Sequence, residues 1–438
     1  MDPLLLGALV GICTILVLFS GVSVGIGLLI VSAGFLIIFD GMRSLELMPE
    51  IFFGKLDSFA LLSIPMFIIM GSSIASTRAG ADLYEALERW LTRVPGGLVI
   101  SNLGACALFA AMSGSSPATC AAIGKMGIPE MLKRGYPEGI ATGSIAAGGT
   151  LGILIPPSVT MIVYGVATET SIGRLFLAGV FPGLMLVSLF MAWSIYATWK
   201  SGDMALMTAR SYSWRAKFEV LPRVLPFVGI IIGVLYAMYG GVATPSETAA
   251  VGALLCLTVA IVIYKLYDIR KIWSILQEST KESVMILFII AAAGVFSYML
   301  SSLSITQSIA TWIGTLDVNP WVLMIAVNIF LIIAGFFLPP VAVILMAAPI
   351  LLPIITTAGF DPIWFAVILT INMEIGLISP PVGLNLYVIN GIAPDITLRT
   401  ILTGSLPFVA CMLLAIVLLC FFPGIATWLP EAAMGPAL

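Results

Sequence analysis

The sequence predicts an all-α polytopic membrane protein, built as an inverted repeat of two five-crossing halves, each with a re-entrant helical hairpin and a broken helix. Three observations point there. The 438 residues are 60% hydrophobic and 9% charged, with a mean hydropathy of +1.14, whereas about a quarter of a soluble domain is charged. Two proline pairs, Pro156-Pro157 and Pro380-Pro381, interrupt long apolar segments. Proline lacks the N–H and clashes with the preceding turn, so each pair breaks a helix at membrane depth. The segments around the two pairs also align, the second lying 224 positions after the first.

At that offset Pro129 meets Pro353, Gly135 meets Gly359, Gly152 meets Gly376, and both prolines of each pair coincide. All of these identities are Gly or Pro, the residues that set special backbone geometry. Tyr136 opposite Phe360 adds a matching aromatic.

In the first half, residues 1–199, two helices fill residues 4 to 39. A short polar stretch with Arg43, Glu46, Glu50, Lys55 and Asp57 follows, then a third span to about residue 76. Residues 80–93 place Leu83, Tyr84, Leu87, Trp90 and Leu91 at helical spacing among charges, the pattern of an interfacial amphipathic arm. Residues 96–132 form the hairpin. Ser113 to Pro117 interrupts two apolar arms of about fifteen residues, too short for the ~30 Å hydrocarbon core. The broken helix is 138–168, and a span at 172–199 closes the half.

Residues 200–222 are polar and basic and read as a cytoplasmic connector. The programme then repeats over 223–438. Scaffold helices occupy 224–300 (224–239, 249–264 and 283–300) and an arm 304–316. A hairpin at 319–357 has its tip at Leu338-Pro339-Pro340, and a broken helix at 362–390 and a last span at 401–422 follow. Five crossings per half invert the second half. Basic residues collect on the cytoplasmic side. With the amino terminus outside, only Arg43, Lys55 and Arg174 of the 19 basic residues fall outside; the others, Arg93 and Arg210 among them, are inside. The first hairpin then opens from the cytoplasm and the second from outside. Met1-Asp2-Pro3 has no basic n-region, so the first helix is expected to be retained.

Absences narrow the chemistry. No histidine is present, which removes Ser-His hydrolysis, histidine metal sites and histidine proton relays. The Ser113-Gly114-Ser115-Ser116 loop is therefore not read as a protease, and the chain is not read as an enzyme. No Walker A motif occurs. The six cysteines stand singly and read as small core residues.

The breaks carry the functional expectation. Interrupted helices expose carbonyls at one stump and N–H groups at the other. Those carbonyls, with hydroxyls of Ser113, Ser115, Ser116, Thr119, Thr150 and Ser379, make a neutral oxygen cage for a hard cation, while the N–H ends favour an anion. Paired breaks at matching places in two halves point to a secondary transporter's binding site. Na+ is favoured over H+ because intramembrane titratable groups are few. Glu374 and Glu247 are the main ones, and Glu374 is expected to be paired or hydrogen-bonded structurally more than to carry a proton. Asn372 and Asn385 are read equally as solute donors and as packing polar residues. The run from Gly143 to Gly149 reads as a surface for close helix packing. A channel is the rival class, set aside because one subunit forming a pore needs no inverted repeat with closed hairpins.

These residues carry a resemblance. Ser113-Gly-Ser-Ser-Pro-Ala-Thr119, Gly149-Thr-Leu-Gly-Ile-Leu-Ile-Pro-Pro-Ser158 and Met373-Glu-Ile-Gly-Leu-Ile-Ser-Pro-Pro-Val-Gly-Leu-Asn385 closely resemble the large membrane subunit of tripartite ATP-independent periplasmic (TRAP) transporters. The likeness runs over nearly the whole chain. It implies an ion-transporter fold of elevator type in the bacterial inner membrane, driven by two or more Na+ ions. It also implies two partners, a separate small membrane subunit of four helices and an extracytoplasmic binding protein that delivers a carboxylate-bearing solute. A stand-alone Na+/dicarboxylate symporter is the alternative. Carried onto this sequence, the family's sodium sites fall on the hairpin tips and breaks: Ser113, Ser115, Ser116, Thr119, Gly149, Thr150, Gly152, Ile155, Gly335, Leu338, Gly376, Ile378, Ser379 and Pro381. The solute falls beside them, at Ser115, Pro117, Pro157, Ser158, Pro340, Pro380, Gly383 and Asn385. No basic residue lies within the breaks, which leaves room for a zwitterionic solute.

Overall fold

In the computed structural model the described residues are 2–91, 94, 96–201, 212–315 and 318–435, and among them every regular element is helical. Arg93, Arg210, the connector's residues 202–211 and the arm's end at Leu316 lie outside the described residues.

The first half runs α1 (Pro3–Phe19), α2 (Val24–Phe39), α3 (Leu47–Leu56), α4 (Ser63–Ala75) and the arm α5 (Ala79–Leu91). Next come α6 (Gly97–Ser113) and α7 (Ser116–Lys133), then α8 (Glu138–Thr150) and α9 (Val159–Thr168) on either side of the first break, and α10 (Ile172–Ser201). The second half runs α11 (Trp214–Tyr239), α12 (Pro245–Val262), α13 (Ile269–Ser302) and the arm α14 (Ile305–Thr315). The hairpin α15 (Pro320–Phe337) and α16 (Pro340–Thr357) follows, then the broken α17 (Pro362–Leu377) and α18 (Leu384–Ile392), α19 (Leu398–Phe421) and α20 (Gly424–Met434).

Several boundaries differ from expectation. The short polar stretch after α2 folds as a 3-10 turn, Met42–Glu46, and then α3, which meets the following helix at a 59° bend. The last third of the connector is helical because Ser213 caps α11, accepting from Ala216 N, and because Trp214 and Phe218 pack on Trp90 of the arm. Pro222 and Pro226 sit inside that helix instead of bounding it. Helix α13 begins at Ile269, well before the expected 283, and α20 lies beyond the last expected span. The arms α6 and α7 have 17 and 18 residues, more than the fifteen expected. Among the described residues seven helices, or eight with the bent pair as one span, are long and apolar enough to cross a bilayer alone, fewer than the ten expected crossings. The arm α6 falls among the shorter apolar helices, as do α9 and α17, whose apolar length is divided by the breaks.

The broken helices form the centre. Every residue from Ile363 to Leu377 is buried, and a helix apolar on all sides belongs inside. Its start is held by Asp361, which accepts from Trp364 N at 2.8 Å, and by the Trp364 indole, which donates to Leu419 O at 2.9 Å. The small residues of α8 let α19 approach closely. A Cβ on Gly143 would lie 2.2 Å from Gly404 O, and one on Gly404 would lie 2.0 Å from Gly139 O. The halves therefore interlock, with α8 on α19 and α4 on α12. Large exposed apolar side chains such as Ile232, Leu254, Ile325 and Phe330 cover the outside, as a lipid-facing surface requires.

Candidate functional site

The first hairpin tip is set by backbone geometry. Ser113 ends α6, and Gly114 turns into the left-handed region at φ 57°, its N–H closing on Ala110 O at 2.9 Å. A side chain is disfavoured there on two counts, since a Cβ would also lie 2.9 Å from Pro157 O. Ser115 is extended, and α7 starts at Ser116 with Pro117 in its first turn, where the missing N–H costs nothing. Three oxygens converge in this turn. The Ser113 and Thr119 hydroxyls are 2.9 Å apart, Thr119 Oγ1 donates to Ser115 O at 2.9 Å, and Ser113 Oγ reaches the same carbonyl at 3.3 Å.

The first break wraps this tip. After α8 come a 3-10 turn, Leu151–Ile153, and an irregular run through Pro156-Pro157, a cis pair. Gly152 faces Ser115 O, where a Cβ would lie 2.8 Å away, and Gly149 faces Ser116 O at 3.2 Å and Cys120 Sγ at 2.0 Å. Both glycines are there because hairpin backbone passes against them. Ser158 caps α9, accepting from Met161 N at 3.3 Å while donating to Ile153 O at 2.5 Å. Thr150 Oγ1 donates to Ala147 O at 2.7 Å. The Thr150 hydroxyl is thus engaged with its own helix, and the Ser158 hydroxyl ties the 3-10 turn to the start of α9. From α4, Gly71 admits Ser113 O, 2.5 Å from where its Cβ would be.

The second break is built alike but sits more openly. A Cβ on Gly376 would lie 2.3 Å from Gly335 O, so α17 and the hairpin arm α15 touch backbone to backbone. Ile378 O accepts the Ser405 hydroxyl at 3.3 Å, and Ser379 is buried. Pro380-Pro381 is also cis, and Gly383 takes φ 54° before α18. Pro380, Pro381 and Val382 are exposed, whereas Pro156, Pro157 and Ser158 are buried. At the second hairpin tip Leu338 and Pro339 are extended and Pro340 opens α16.

One residue joins the two halves of the site. Asn385, in the first turn of α18, donates from Nδ2 to Ser116 Oγ at 2.8 Å and to Ala146 O at 3.1 Å, and its Oδ1 lies 3.1 Å from Ser116 Oγ. The fold therefore gathers Ser113, Ser115, Ser116, Thr119, Gly149, Gly152, Pro157 and Asn385, and separately Gly335 with Gly376. Asn372 faces away from these oxygens, donating to Asn328 Oδ1 at 2.7 Å and Ile368 O at 2.9 Å, the packing role. Glu247 is exposed and forms half of a capping box with Thr244 at the start of α12. Glu374 is fully buried, yet neither carboxyl oxygen has a hydrogen-bond partner, contrary to the structural pairing expected of it. Sequence reasoning passed over Gly71, which stands in no motif, and Asn328, a lone amide in an apolar span that its composition could have flagged.

The site offers neutral oxygen and N–H groups. No group of three or more His, Cys, Asp or Glu side chains is placed to hold a metal among the described residues. The helix starts at Ser116, Val159, Pro340 and Leu384 present their free N–H ends near the breaks, favourable to an anion. A hard cation would exchange the hydrogen bonds among Ser113, Ser115 and Thr119 for direct oxygen contacts.

A second polar region lies where α5, α7 and α11 meet. Arg134 pairs with Glu88 and, at 2.7 Å, with Glu130, and Arg223 reaches Glu85 at 3.2 Å. These groups line a cavity of about 710 Å³. The Tyr84 hydroxyl is buried beside them without a partner, and burial, then the Glu88 charge, pushes its ionisation above the ordinary tyrosine range.

Residues 11–425 match the family described as "Tripartite ATP-independent periplasmic transporter, DctM component". Among relatives, the chain is 39% identical over 393 residues to the C4-dicarboxylate TRAP transporter large permease protein DctM of Pseudomonas aeruginosa, covering 90% of each chain. It is 31% identical over 418 residues to the sialic acid TRAP transporter large permease protein SiaM of Vibrio cholerae, covering 95% of this chain and 97% of that one. Among solved structures, the YdaH transporter of Alcanivorax borkumensis superposes with a TM-score of 0.66 at 17% identity, over 95% of this chain and 99% of that chain, a likeness of fold.

Proposed function

This chain belongs to the DctM component family of tripartite ATP-independent periplasmic transporters, as a large permease subunit, and on that premise we propose that it imports a carboxylate-bearing solute with Na+ by an elevator movement. The inner membrane of a bacterium is its place, with the amino terminus outside. The solute class is supported by relatives named for C4-dicarboxylates and sialic acid, and delivery falls to an extracytoplasmic binding protein, with a small four-helix subunit as the second partner.

The observation that carries this reading is the meeting of four backbone interruptions through neutral groups. Hairpin tip and first break touch at Gly114 and Pro157, the second break reaches the first hairpin through Asn385 and Ser116, and the second hairpin meets its break at Gly335 and Gly376. Irregular backbone inside a bilayer persists where protein, ion or solute satisfies it. The tip of the first hairpin lies against the middle of the broken helix 138–168, as a tip that stops at mid-depth would. That supports re-entry, even though arms of 17 and 18 residues, at 1.5 Å per residue, come close to spanning length. The matching order of hairpin, broken helix and closing span supports the inverted repeat. Sodium is assigned to Ser113, Ser115 and Thr119 of the first tip, and to the carbonyl ends of the second break. The solute lies between Asn385 and the N–H ends beside the proline pairs.

The test is uptake of labelled succinate into vesicles holding both membrane subunits. Uptake should need a Na+ gradient and the cognate binding protein together. Thr119→Val keeps the shape and removes one oxygen, and should raise the Na+ concentration for half-maximal uptake about tenfold or more, as the loss of one buried polar contact predicts. Uptake without binding protein would favour a stand-alone symporter, and flux indifferent to any gradient would remove the transporter reading.

A further inference from the structure

The cavity where α5, α7 and α11 meet also reaches the end of α12, and it lies at the opposite end of α7 from the hairpin tip. Its wall carries four acidic and five basic side chains. Every acid is already held. Asp82 accepts from the Tyr264 hydroxyl at 2.7 Å and lies 3.7 Å from Arg223, which also reaches Glu85 at 3.2 Å. Glu85 pairs with Arg89 as well. Glu88 is held by Arg134 and, at 3.3 Å, by the Tyr212 hydroxyl, and Glu130 by Arg134 at 2.7 Å.

The surplus is basic. Arg78, in the turn before α5, and Lys265, just after α12, line the cavity, are exposed, and pair with no acid among the described residues. A cation entering here would have to displace an arginine from its carboxylate, whereas an anion meets two uncommitted positive groups beside the half-exposed Arg223. Tyr84 is also part of the wall, 4% exposed, and its hydroxyl has no partner among the described residues. A buried hydroxyl calls for an acceptor, and an anionic oxygen is one.

The surroundings are those of a membrane surface. Two apolar side chains of the wall, Met126 and Ile263, are exposed, and so are Val262, Tyr267 and Ile269 around Lys265. Trp90, Trp214 and Phe218 cluster at the other end of the arm, with the Lys217 ammonium 5.6 Å and 5.3 Å from the two indole centroids, the aromatic and basic mixture of a headgroup layer. A freely dissolved anion has no use for an apolar rim. A phospholipid uses both parts, its phosphate in the cavity and its chains over the exposed apolar side chains, and basic pockets between helices on the cytoplasmic side take anionic headgroups. We propose that this cavity binds an anionic phospholipid, its phosphodiester held by Arg78 and Lys265, with Arg223 and the Tyr84 hydroxyl behind them. The headgroup then touches the arm α5 and the hairpin helix α7 at once. The site is separate from the oxygens assigned to sodium and holds whichever ion drives the transport.

Native mass spectrometry of the permease purified with its small membrane subunit tests this, with phosphatidylglycerol, phosphatidylethanolamine and inorganic phosphate as probes. Phosphatidylglycerol should be retained as a one-to-one adduct. Phosphatidylethanolamine, whose ammonium cancels its phosphate charge, and inorganic phosphate, which has no chains, should be lost. Arg78→Gln combined with Lys265→Gln should weaken retention about tenfold or more, while Arg270→Gln combined with Lys271→Gln, on α13 outside the cavity, should leave it unchanged. Phosphatidylglycerol with a photoactivatable group near its phosphate should label peptides of α5 and of the end of α7 in the wild type, a result that depends on no variant. Equal retention of the two lipids, equal losses in the two double variants, or labelling that misses those peptides would overturn the proposal. Retention of inorganic phosphate alone would overturn it too, by making the cavity an ion site without a lipid.

Discussion

Ser116 and Asn385 are 269 positions apart, and each is the other's partner twice over, as donor and as acceptor. Both are fully buried, so removing either leaves a polar group without water or protein to satisfy it, at a cost of about 1 to 3 kcal/mol. Asn385→Ala should lower the thermal midpoint more than Ser116→Ala, because it also removes the hydrogen bond to Ala146 O. The double variant should lose less than the two singles added, since the second change removes a group already unpaired. Additive losses in a melting series in detergent would mean that the pair is not formed. Each residue stood in a legible motif, one flagged for a cation and one for solute, but their bond to each other was not legible. No local rule links positions so far apart. Glu374 and Glu247 make the complementary case: as letters they are equal candidates for an intramembrane charge, and only folding separates a capping residue at a helix start from a carboxyl sealed in a core.

Among the elements, the breaks and their glycines were the most readable features, because Gly and Pro constrain the backbone without help from tertiary contacts. The run from Gly143 to Gly149 does pack closely, against Gly404, Cys106 and Cys120. Less readable were helix starts that depend on packing. Trp214 begins α11 by seating on Trp90 across the molecule, while Pro222 and Pro226 inside the helix suggest a boundary that is not there. Helix α20 is masked in the same way by Pro423 and Pro430. The closest approach between elements yields a prediction. Gly376→Ala places a methyl 2.3 Å from Gly335 O, and backbone cannot rotate aside as a side chain would. The helices must separate, at about 1 to 3 kcal/mol for an overpacked core. Gly391→Ala, with open space around its Cβ, is the control. Melting points in detergent should fall by several degrees for the first and stay near wild type for the second. Equal midpoints would show that α15 and α17 are not in backbone contact.

For the whole molecule, the proposed elevator requires a body that slides and a frame that does not, yet the halves interlock through α8 on α19 and α4 on α12. The two pairings can coexist if each joins like with like. The first unites α8 of the first broken helix with α19, the closing span that packs on the second broken helix, and the second unites the frame helices. The division then runs across the proposed repeat instead of between its halves, which is why composition along the chain cannot reveal it. Contacts that cross from frame to body should break and reform in each cycle, and the charged cluster at the arm is one of them. Glu88 belongs to the arm α5, and Arg134 to the end of the hairpin helix α7. In protein stripped of its native cysteines, joining Glu88→Cys to Arg134→Cys with a short bifunctional thiol reagent should arrest succinate uptake. Sodium should still shift the melting point, since the hairpin tip is untouched. A link between Arg174→Cys and Met434→Cys spans α10 and α20, whose contact at 3.0 Å lies within the proposed body. That link should leave uptake at the level of the unlinked protein. Normal uptake with the first link in place would mean that arm and hairpin travel together, and the frame would then have to be sought among α1 to α4 and α11 to α13 alone.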